Sequence, residues 1–229
     1  MLLFIFDLDG TLVDSQDLIV EAQRRTFLAH GLPVPGRARA LSVVGLSLRE
    51  AFSVLAGPGA PLDSLAETYK RQFFDLRADP SRAEPFFPGA LETIAALGAR
   101  DDVALGLATG KSRRGVDHLL ERAGWGKLFA TVQTADDHPS KPAPDMILAA
   151  LGETGVSPRD ALMIGDTSFD MAMARAAGVR AIGVAWGYHP ARSLVEAGAE
   201  RVIERFDELD ALLIDAFVPS PHRTERGLG

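Results

Sequence analysis

Two aspartates, Asp7 and Asp9, lie one residue apart near the start of the chain. They follow an apolar run at residues 2–6, which is too short for a lone buried helix and predicts a central strand covered on both faces. Gly10 allows a sharp backbone turn after the pair. Ligands bind at the carboxyl ends of strands in open α/β sheets, so the two carboxylates predict a metal site or a nucleophile. The structural alternative is that they only form a turn or cap a helix.

Further polar residues stand at comparable places later in the chain. Thr109 and Asp166 each end or follow an apolar run that predicts a strand, and Asp170 opens the helix predicted next. Either Thr109 or Asp170 could serve only as a helix cap. Lys141 lies in the proline-rich segment 135–144. Because each proline fixes its own φ and biases the preceding residue away from helix, this lysine is held in a constrained turn.

The order and spacing of these residues resemble the haloacid dehalogenase-like superfamily of phosphohydrolases. Residues 7–14, Asp-Leu-Asp-Gly-Thr-Leu-Val-Asp, match its first motif, and Thr109 and Lys141 stand at the places of the second and third. Residues 165–170, Gly-Asp-Thr-Ser-Phe-Asp, match the fourth. One departure is Ala143, where many relatives carry His. Because a helical insertion follows the first motif, the chain looks like the phosphoglycolate phosphatase-like branch with a small helical cap.

The resemblance implies a two-step phosphoryl transfer. Asp7 would attack phosphorus and form an aspartyl-phosphate, which is then hydrolysed. Asp9 would protonate the leaving alkoxide and afterwards deprotonate the attacking water. Thr109, the Gly110 amide and Lys141 would donate to the phosphoryl oxygens and offset their charge.

The resemblance also implies a bound Mg²⁺. Asp7, Asp166 and the backbone carbonyl of Asp9 would be its ligands, and Asp170 would hold Lys141 and the water shell of the metal. A hard divalent ion prefers such carboxylates together with waters and phosphate oxygens. The chain has no Cys and only five His, which argues against a zinc site.

The strands of a sheet and the helices of an insertion have to position these residues. The resemblance implies a three-layer, Rossmann-like parallel α/β sheet of five strands. The predicted strands are 2–6, 103–108, 128–132, 161–165 and 181–185, with 201–203 as a candidate short edge strand. Helices are predicted at 16–30, 47–55 and 63–77 with no strand signal between them, which breaks the alternation expected of a doubly wound sheet.

The domain organisation predicted from this break has three parts. Residues 1–15 and 82–218 form the α/β core, with helices at 193–197 and 207–217 near its end, and residues 16–81 form an inserted helical cap. Residues 219–229 have little to bury, so we expect a disordered tail.

Arg49 is the candidate through which the cap meets the substrate. It lies in the segment 45–49, Gly-Leu-Ser-Leu-Arg, which opens a cap helix and is similar to stretches that face the active site in capped relatives. A guanidinium is the side chain best shaped to bind a carboxylate or second phosphate with two parallel hydrogen bonds. The alternative is a solvated helix residue.

Composition narrows the class of protein. The 229 residues are 47% hydrophobic, which is ample for a core, and the net charge of −7 with no basic stripe argues against a nucleic-acid surface. No apolar stretch reaches the ~18 residues of a membrane span, and no signal peptide is recognised. The absence of Cys fits a reducing cytoplasm. We therefore expect a cytoplasmic enzyme acting on a small phosphorylated metabolite, with no nucleic-acid or membrane partner; the oligomeric state cannot be predicted.

Several other functions remain open at this stage. A sugar-phosphate mutase of the superfamily uses the same motifs but retains the phosphoryl group on the enzyme. A phospho-accepting regulatory protein could use Asp, Thr and Lys on a similar sheet, but receivers lack a helical insertion. A dehalogenase is disfavoured because it needs neither a leaving-group acid nor the metal set. Residues 106–112 resemble a nucleotide-binding P-loop, yet they have three residues between the glycines where that loop has four.

Overall fold

A single parallel sheet forms the centre of the computed structural model, which describes residues 1–79, 82 and 84–209. Its strands are β1 Leu2–Phe6, β2 Val103–Thr109, β3 Phe129–Thr134, β4 Ala161–Gly165, β5 Arg180–Val184 and β6 Arg201–Ile203. Their spatial order is β3-β2-β1-β4-β5-β6. The predicted fold class, a Rossmann-like parallel α/β sheet, is confirmed.

The described helices are α1 Gln16–Ala29, α2 Arg37–Leu41, α3 Leu48–Ala56, α4 Leu62–Arg77, α5 Ala90–Gly98, α6 Arg113–Ala123, α7 Asp145–Thr154, α8 Ser168–Ala176 and α9 Ala191–Ala197. Helices α5 and α6 pack with one face of the sheet, and α7, α8 and α9 pack with the other. The three-layer arrangement therefore follows from burial of both faces. No described helix has both the length and the apolar character needed to cross a membrane.

Strand β1 is central, as its apolar run predicts. All five of its residues are buried, and it pairs with β2 on one side and β4 on the other. Phe4 and Phe6 face the layer of α5 and α6, whereas Leu3 and Ile5 face the opposite layer. Because strand side chains alternate between faces, only a strand with helices on both sides buries every residue in this way.

In the sequence, helices α1 to α4 come between β1 and β2. These helices form apolar clusters of their own. In one of these clusters Phe27 and Phe52 pack with Leu65. The Asp14 amide donates to the Pro85 carbonyl at 2.8 Å. This hydrogen bond shows that the chain leaves and rejoins the sheet at neighbouring points. This topology agrees with an insertion, but the domain boundaries at 16 and 81 stay a prediction.

Two details of the architecture were left open by the sequence. The candidate edge strand Arg201–Ile203 adds a sixth strand to the five of the predicted core, because it pairs in parallel with β5 along its whole three-residue length. The insertion has a fourth helix, α2, whose five residues carry two arginines and too little apolar periodicity to be recognised. Most of the predicted helix 207–217 and the predicted disordered tail 219–229 lie outside the described residues.

Candidate active site

The carboxyl ends of β1, β2 and β4 place the candidate catalytic residues at one edge of the sheet. Asp7 follows β1, Thr109 ends β2 and Asp166 follows β4. Since the three strands are adjacent and parallel, their ends meet at the same edge. Asp7, Thr109 and Asp166 are each at most 1% exposed.

Lys141 lies at the centre of this edge. Its Nζ donates to Asp170 Oδ1 at 2.6 Å and lies 3.0 Å from Asp7 Oδ2. All three side chains are buried. Burial opposes the charged ammonium, but the carboxylates of Asp170 and Asp7 outweigh it and raise the pKa of Lys141. The Nζ of Lys141 therefore lies beside the carboxylate of the proposed nucleophile.

Three buried carboxylates cluster at this edge, and two of them, Asp7 and Asp170, are in contact with Lys141. Oxygens of Asp7, Asp166 and Asp170 lie within 4.8 Å of one another. Burial raises the pKa of Asp7 to about 6 against the opposing charge of Lys141. Burial, with the neighbouring Asp170 and Asp7, also raises the pKa of Asp166 well above its usual range. One ammonium leaves this cluster with an excess of negative charge, which a divalent cation with oxygen ligands would offset.

The side chain of Asp166 is held in place by the first motif and by the loop after β5. Thr11 Oγ1 donates to Asp166 Oδ1 at 3.0 Å, and the Tyr188 amide donates to Oδ2 at 2.9 Å. A Cβ at Gly10, whose φ is +89°, would lie 2.2 Å from Asp166 Oδ2, and one at Gly187 would lie 2.0 Å from its Cβ. The sequence predicts residues 186–189 as a loop beside the site, because they follow a predicted strand, but it assigns no role to Gly187 or Tyr188.

Asp9 belongs to a second network. Its Oδ1 accepts from Ser15 Oγ at 2.5 Å and from Lys111 Nζ at 2.7 Å. Lys111 also donates to Glu84 Oε1 at 3.3 Å, and Arg77 pairs with Glu84 at 3.1 Å. Burial opposes the charge of Lys111, but Asp9 and Glu84 raise its pKa. Sequence reasoning assigned no role to Lys111 or Glu84.

The structure does not use Thr109 as the cap of the helix after it. Helix α6 begins after Ser112, whose Oγ accepts from the Gly115 amide at 3.3 Å. Thr109 Oγ1 accepts from the Lys111 amide at 3.2 Å. By contrast, Asp170 does take part in a capping box of helix α8 with Thr167 while also binding Lys141.

The start of α3 contacts the edge of the sheet. The Ser47 amide donates to Ser140 Oγ at 2.8 Å. A Cβ at Gly110 would lie 2.6 Å from the Gly45 carbonyl oxygen, so only glycine allows this close approach. The segment 45–47 thus lies against the turns that carry Thr109 and Lys141.

Arg49 does not face the cavity at this edge, contrary to the expectation from its segment. It pairs with Asp63, and the two side chains are 59% and 86% exposed. On α3 the inward face is formed by Leu48, Ala51 and Phe52, which line the cavity. One residue further along a helix turns the side chain by about 100°, which takes Arg49 to the solvent side. Arg49 therefore matches the alternative interpretation, a solvated helix residue.

The catalytic edge opens into a cavity of about 350 Å³. Asp7, Asp9, Thr109, Gly110 and Lys111 line it from the sheet side, and residues of α1, α3, α4 and the 43–46 segment line it from the other side. A substrate can therefore contact both carboxylates of the first motif while lying against the inserted helices.

Fold and site together define an α/β enzyme with a cluster of buried carboxylates at the carboxyl edge of a parallel sheet. Residues 4–184 match the model of a family described as haloacid dehalogenase-like hydrolase, so the chain belongs to this family. Its relatives include phosphoglycolate phosphatases at 30% and 32% identity, which supports the phosphoglycolate phosphatase-like branch of the family.

Individual proteins with similar sequences or structures support the assignment of the chain to this family. "Probable phosphatase IndB" of Dickeya dadantii is 36% identical over 213 residues, covering 90% of this chain and 91% of the relative. A phosphoglycolate phosphatase of Pseudomonas putida is 32% identical, covering 92% and 78%. The crystal structure of a hydrolase from Pseudomonas syringae has a TM-score of 0.82 at 27% identity, covering 94% of this chain and 99% of that one.

Proposed function

We propose that this hydrolase cleaves phosphate monoesters of small metabolites, with Asp7 as the nucleophile. The observation that carries the proposal is the position of Asp7: its carboxylate lines the cavity, and Lys141 Nζ lies 3.0 Å from its Oδ2. An ammonium there would both orient the nucleophile and attract the phosphoryl group.

The reaction would proceed in two displacements at phosphorus. An oxygen of Asp7 attacks phosphorus and the ester oxygen departs, taking a proton from Asp9. Asp9 then removes a proton from water, which attacks the aspartyl-phosphate, releases orthophosphate and restores Asp7. The hydroxyl of Thr109, the Gly110 amide and the Lys141 ammonium donate to the phosphoryl oxygens in both steps.

Mg²⁺ fits the chemistry of the acidic cluster, because its members are hard oxygen ligands with an excess of negative charge. We propose Asp7, Asp166 and the Asp9 backbone carbonyl as ligands, with Asp170 binding Lys141. When bound, the ion would reduce the negative charge on the phosphoryl oxygens.

Exhaustive chelation is expected to reduce phosphate release to background, and added Mg²⁺ should restore it. Ca²⁺ should bind but restore little activity, since it favours more ligands at longer distances. A second readout is the melting temperature, which Mg²⁺ should raise in the wild type and much less in Asp166→Asn. Full activity after chelation would contradict the metal assignment.

The acid role of Asp9 predicts a dependence on the leaving group. Asp9→Asn should slow the phosphorylation step by about 10²- to 10⁴-fold for alkyl phosphates, which need a proton on the departing oxygen. Nitrophenyl phosphate should lose much less, because nitrophenolate leaves without an acid. Single-turnover formation of the phosphorylated enzyme measures this step, and equal losses for the two esters would argue against an acid role. Formation of an isomeric phosphate ester instead of orthophosphate would favour a mutase.

We further propose that helices α1 to α4 act as the cap that encloses the substrate. The support is their contribution to the cavity walls and the contact of Gly45 and Ser47 with the edge of the sheet. A cytoplasmic location stays a prediction that rests on the cysteine-free composition.

A further inference from the structure

We propose that Lys111 is a positioning residue for Asp9. Its ammonium holds one carboxyl oxygen of Asp9, so that the other oxygen faces the leaving group in the first step and the attacking water in the second. This inference rests on the proposed function, in which Asp9 transfers these protons, and it adds a residue that takes no part in the displacement at phosphorus.

The carboxyl group of Asp9 is held by one of its two oxygens. Lys111 Nζ donates to Asp9 Oδ1 at 2.7 Å, and Ser15 Oγ donates to the same atom at 2.5 Å. Among the residues that the structure describes, no donor is hydrogen-bonded to Oδ2. Asp9 lines the cavity, and its side chain is 13% exposed. Oδ2 is therefore the oxygen left for proton transfer, and the donors to Oδ1 set its direction.

Lys111 is itself fixed by its surroundings. Its side chain is 7% exposed, and its backbone amide donates to Thr109 Oγ1 at 3.2 Å. A Cβ at Gly115 would lie 3.0 Å from Lys111 Cγ, so the aliphatic part of the side chain passes close to the start of α6. The ammonium lies 5.0 Å from the centroid of the Phe73 ring of α4, within the range of a cation–π contact. A side chain with these contacts has little rotamer freedom, which is what holding a partner in one orientation requires.

Glu84 provides a second anchor for the ammonium. Its Oε1 accepts from Lys111 Nζ at 3.3 Å, and Arg77 Nε lies 3.1 Å from its Oε2. Glu84 therefore has a cationic partner in Arg77 whether or not Lys111 is present. Balancing the charge of Glu84 does not by itself account for a second buried cation, whereas the contact of Lys111 with both Glu84 and Asp9 does.

The alternative role for Lys111 is direct binding of the substrate, because this residue also lines the cavity. Asp9 and Glu84 already accept two of its three N–H groups, so a phosphoryl oxygen would have to compete with two carboxylates. This favours positioning. The two roles predict different losses, because every ester carries the phosphoryl group but only some need a proton from Asp9.

The first measurement is single-turnover phosphorylation of Lys111→Met in the presence of Mg²⁺. Methionine fills the space of the lysine stem and removes the ammonium. The rate with ethyl phosphate should fall by roughly 10- to 100-fold, the scale expected for a misplaced reacting group. The rate with nitrophenyl phosphate should stay within about threefold of the wild type, because nitrophenolate leaves without an acid. Equal losses for the two esters would overturn the inference.

A double-mutant cycle with Asp9→Asn tests whether Lys111 acts through Asp9. With ethyl phosphate, adding Lys111→Met to Asp9→Asn should change the rate by less than about threefold, because no acid remains to be positioned. Losses that multiply would show that Lys111 acts independently of Asp9, and that result would also overturn the inference.

The double variant Lys111→Met with Glu84→Gln separates positioning from charge balance. Its rate with ethyl phosphate should stay as low as that of Lys111→Met, and a return to the wild-type rate would show that Lys111 only balances Glu84. If Lys111→Met is unfolded by far-UV circular dichroism, the two esters are compared on this double variant. The matched control is Lys127→Met, which replaces an exposed lysine outside the cavity lining and should change neither ester.

Asp7→Asn separates failure of this inference from failure of the proposed function. If phosphate release from nitrophenyl phosphate depends on Asp7 but Lys111→Met lowers both esters equally, only the positioning role is overturned. If phosphate release does not depend on Asp7, the proposed function is overturned and the role of Lys111 with it.

Discussion

Replacing Asp7 by Asn is expected to reduce phosphate release by at least about 10⁴-fold while the protein remains folded. The amide is nearly isosteric with the carboxylate but cannot attack phosphorus, so no aspartyl-phosphate forms. Folding should be preserved because Lys141 keeps its 2.6 Å contact with Asp170, and because burial already penalises the ionised form of Asp7. The measurements are orthophosphate release and far-UV circular dichroism.

Asp14→Asn is the matched control for Asp7→Asn. Asp14 lies in the same loop and accepts hydrogen bonds from Gln16, but it does not line the cavity. Its replacement should leave kcat/KM within about twofold of the wild type. If Asp7→Asn retained activity within tenfold of the wild type, the nucleophile would have to be sought elsewhere.

Lys141→Met is expected to combine the largest loss of stability with loss of activity. Its side chain is 0% exposed and lies between the carboxylates of Asp7 and Asp170. Removing one partner of a buried ion pair leaves uncompensated charge in the interior, which costs about 3–5 kcal/mol. The free energy of unfolding, measured with urea in the absence of divalent cations, should fall by this amount.

The control for Lys141→Met is Lys127→Met. Lys127 is exposed, and the free energy of unfolding should change by no more than about 0.5 kcal/mol. The double variant Lys141→Met with Asp170→Asn should recover part of the lost stability, since it removes one of the two buried carboxylates that the first substitution leaves without a cationic partner. An unfolding free energy for Lys141→Met equal to that of the wild type would show that the lysine does not balance these charges.

Much of the architecture could be predicted because a buried segment is recognisable from the apolar pattern of its own residues. The apolar run Leu2–Phe6 predicted a central strand, and the structure buries all five of its residues. The same reasoning placed Thr109 and Asp166 at strand ends, and parallel topology then brings those ends together. The exact bounds of β4 were predicted, since its five residues are all buried.

The elements that the sequence left open are short or weakly patterned segments. A strand of three residues, such as β6, has too few positions to establish a period of two, so it was only a candidate from sequence. Helix α2 has five residues with one buried, and no periodicity distinguishes it from a loop. Pairing with β5 and packing against α1 decide these two elements, and neither interaction is local in sequence.

At the site, the sequence by itself determined which side chains could bind or attack a phosphoryl group, because the type of a residue and its place at the end of a strand can be recognised from a short segment. Only the tertiary structure decided which of them share a network. Lys111 joins Asp9 to Glu84, although 102 residues separate Lys111 from Asp9. The tertiary structure also decided the orientation of α3, which turns Arg49 to solvent. Such contacts depend on how helices and returning loops pack around the sheet, a long-range property that no single segment encodes.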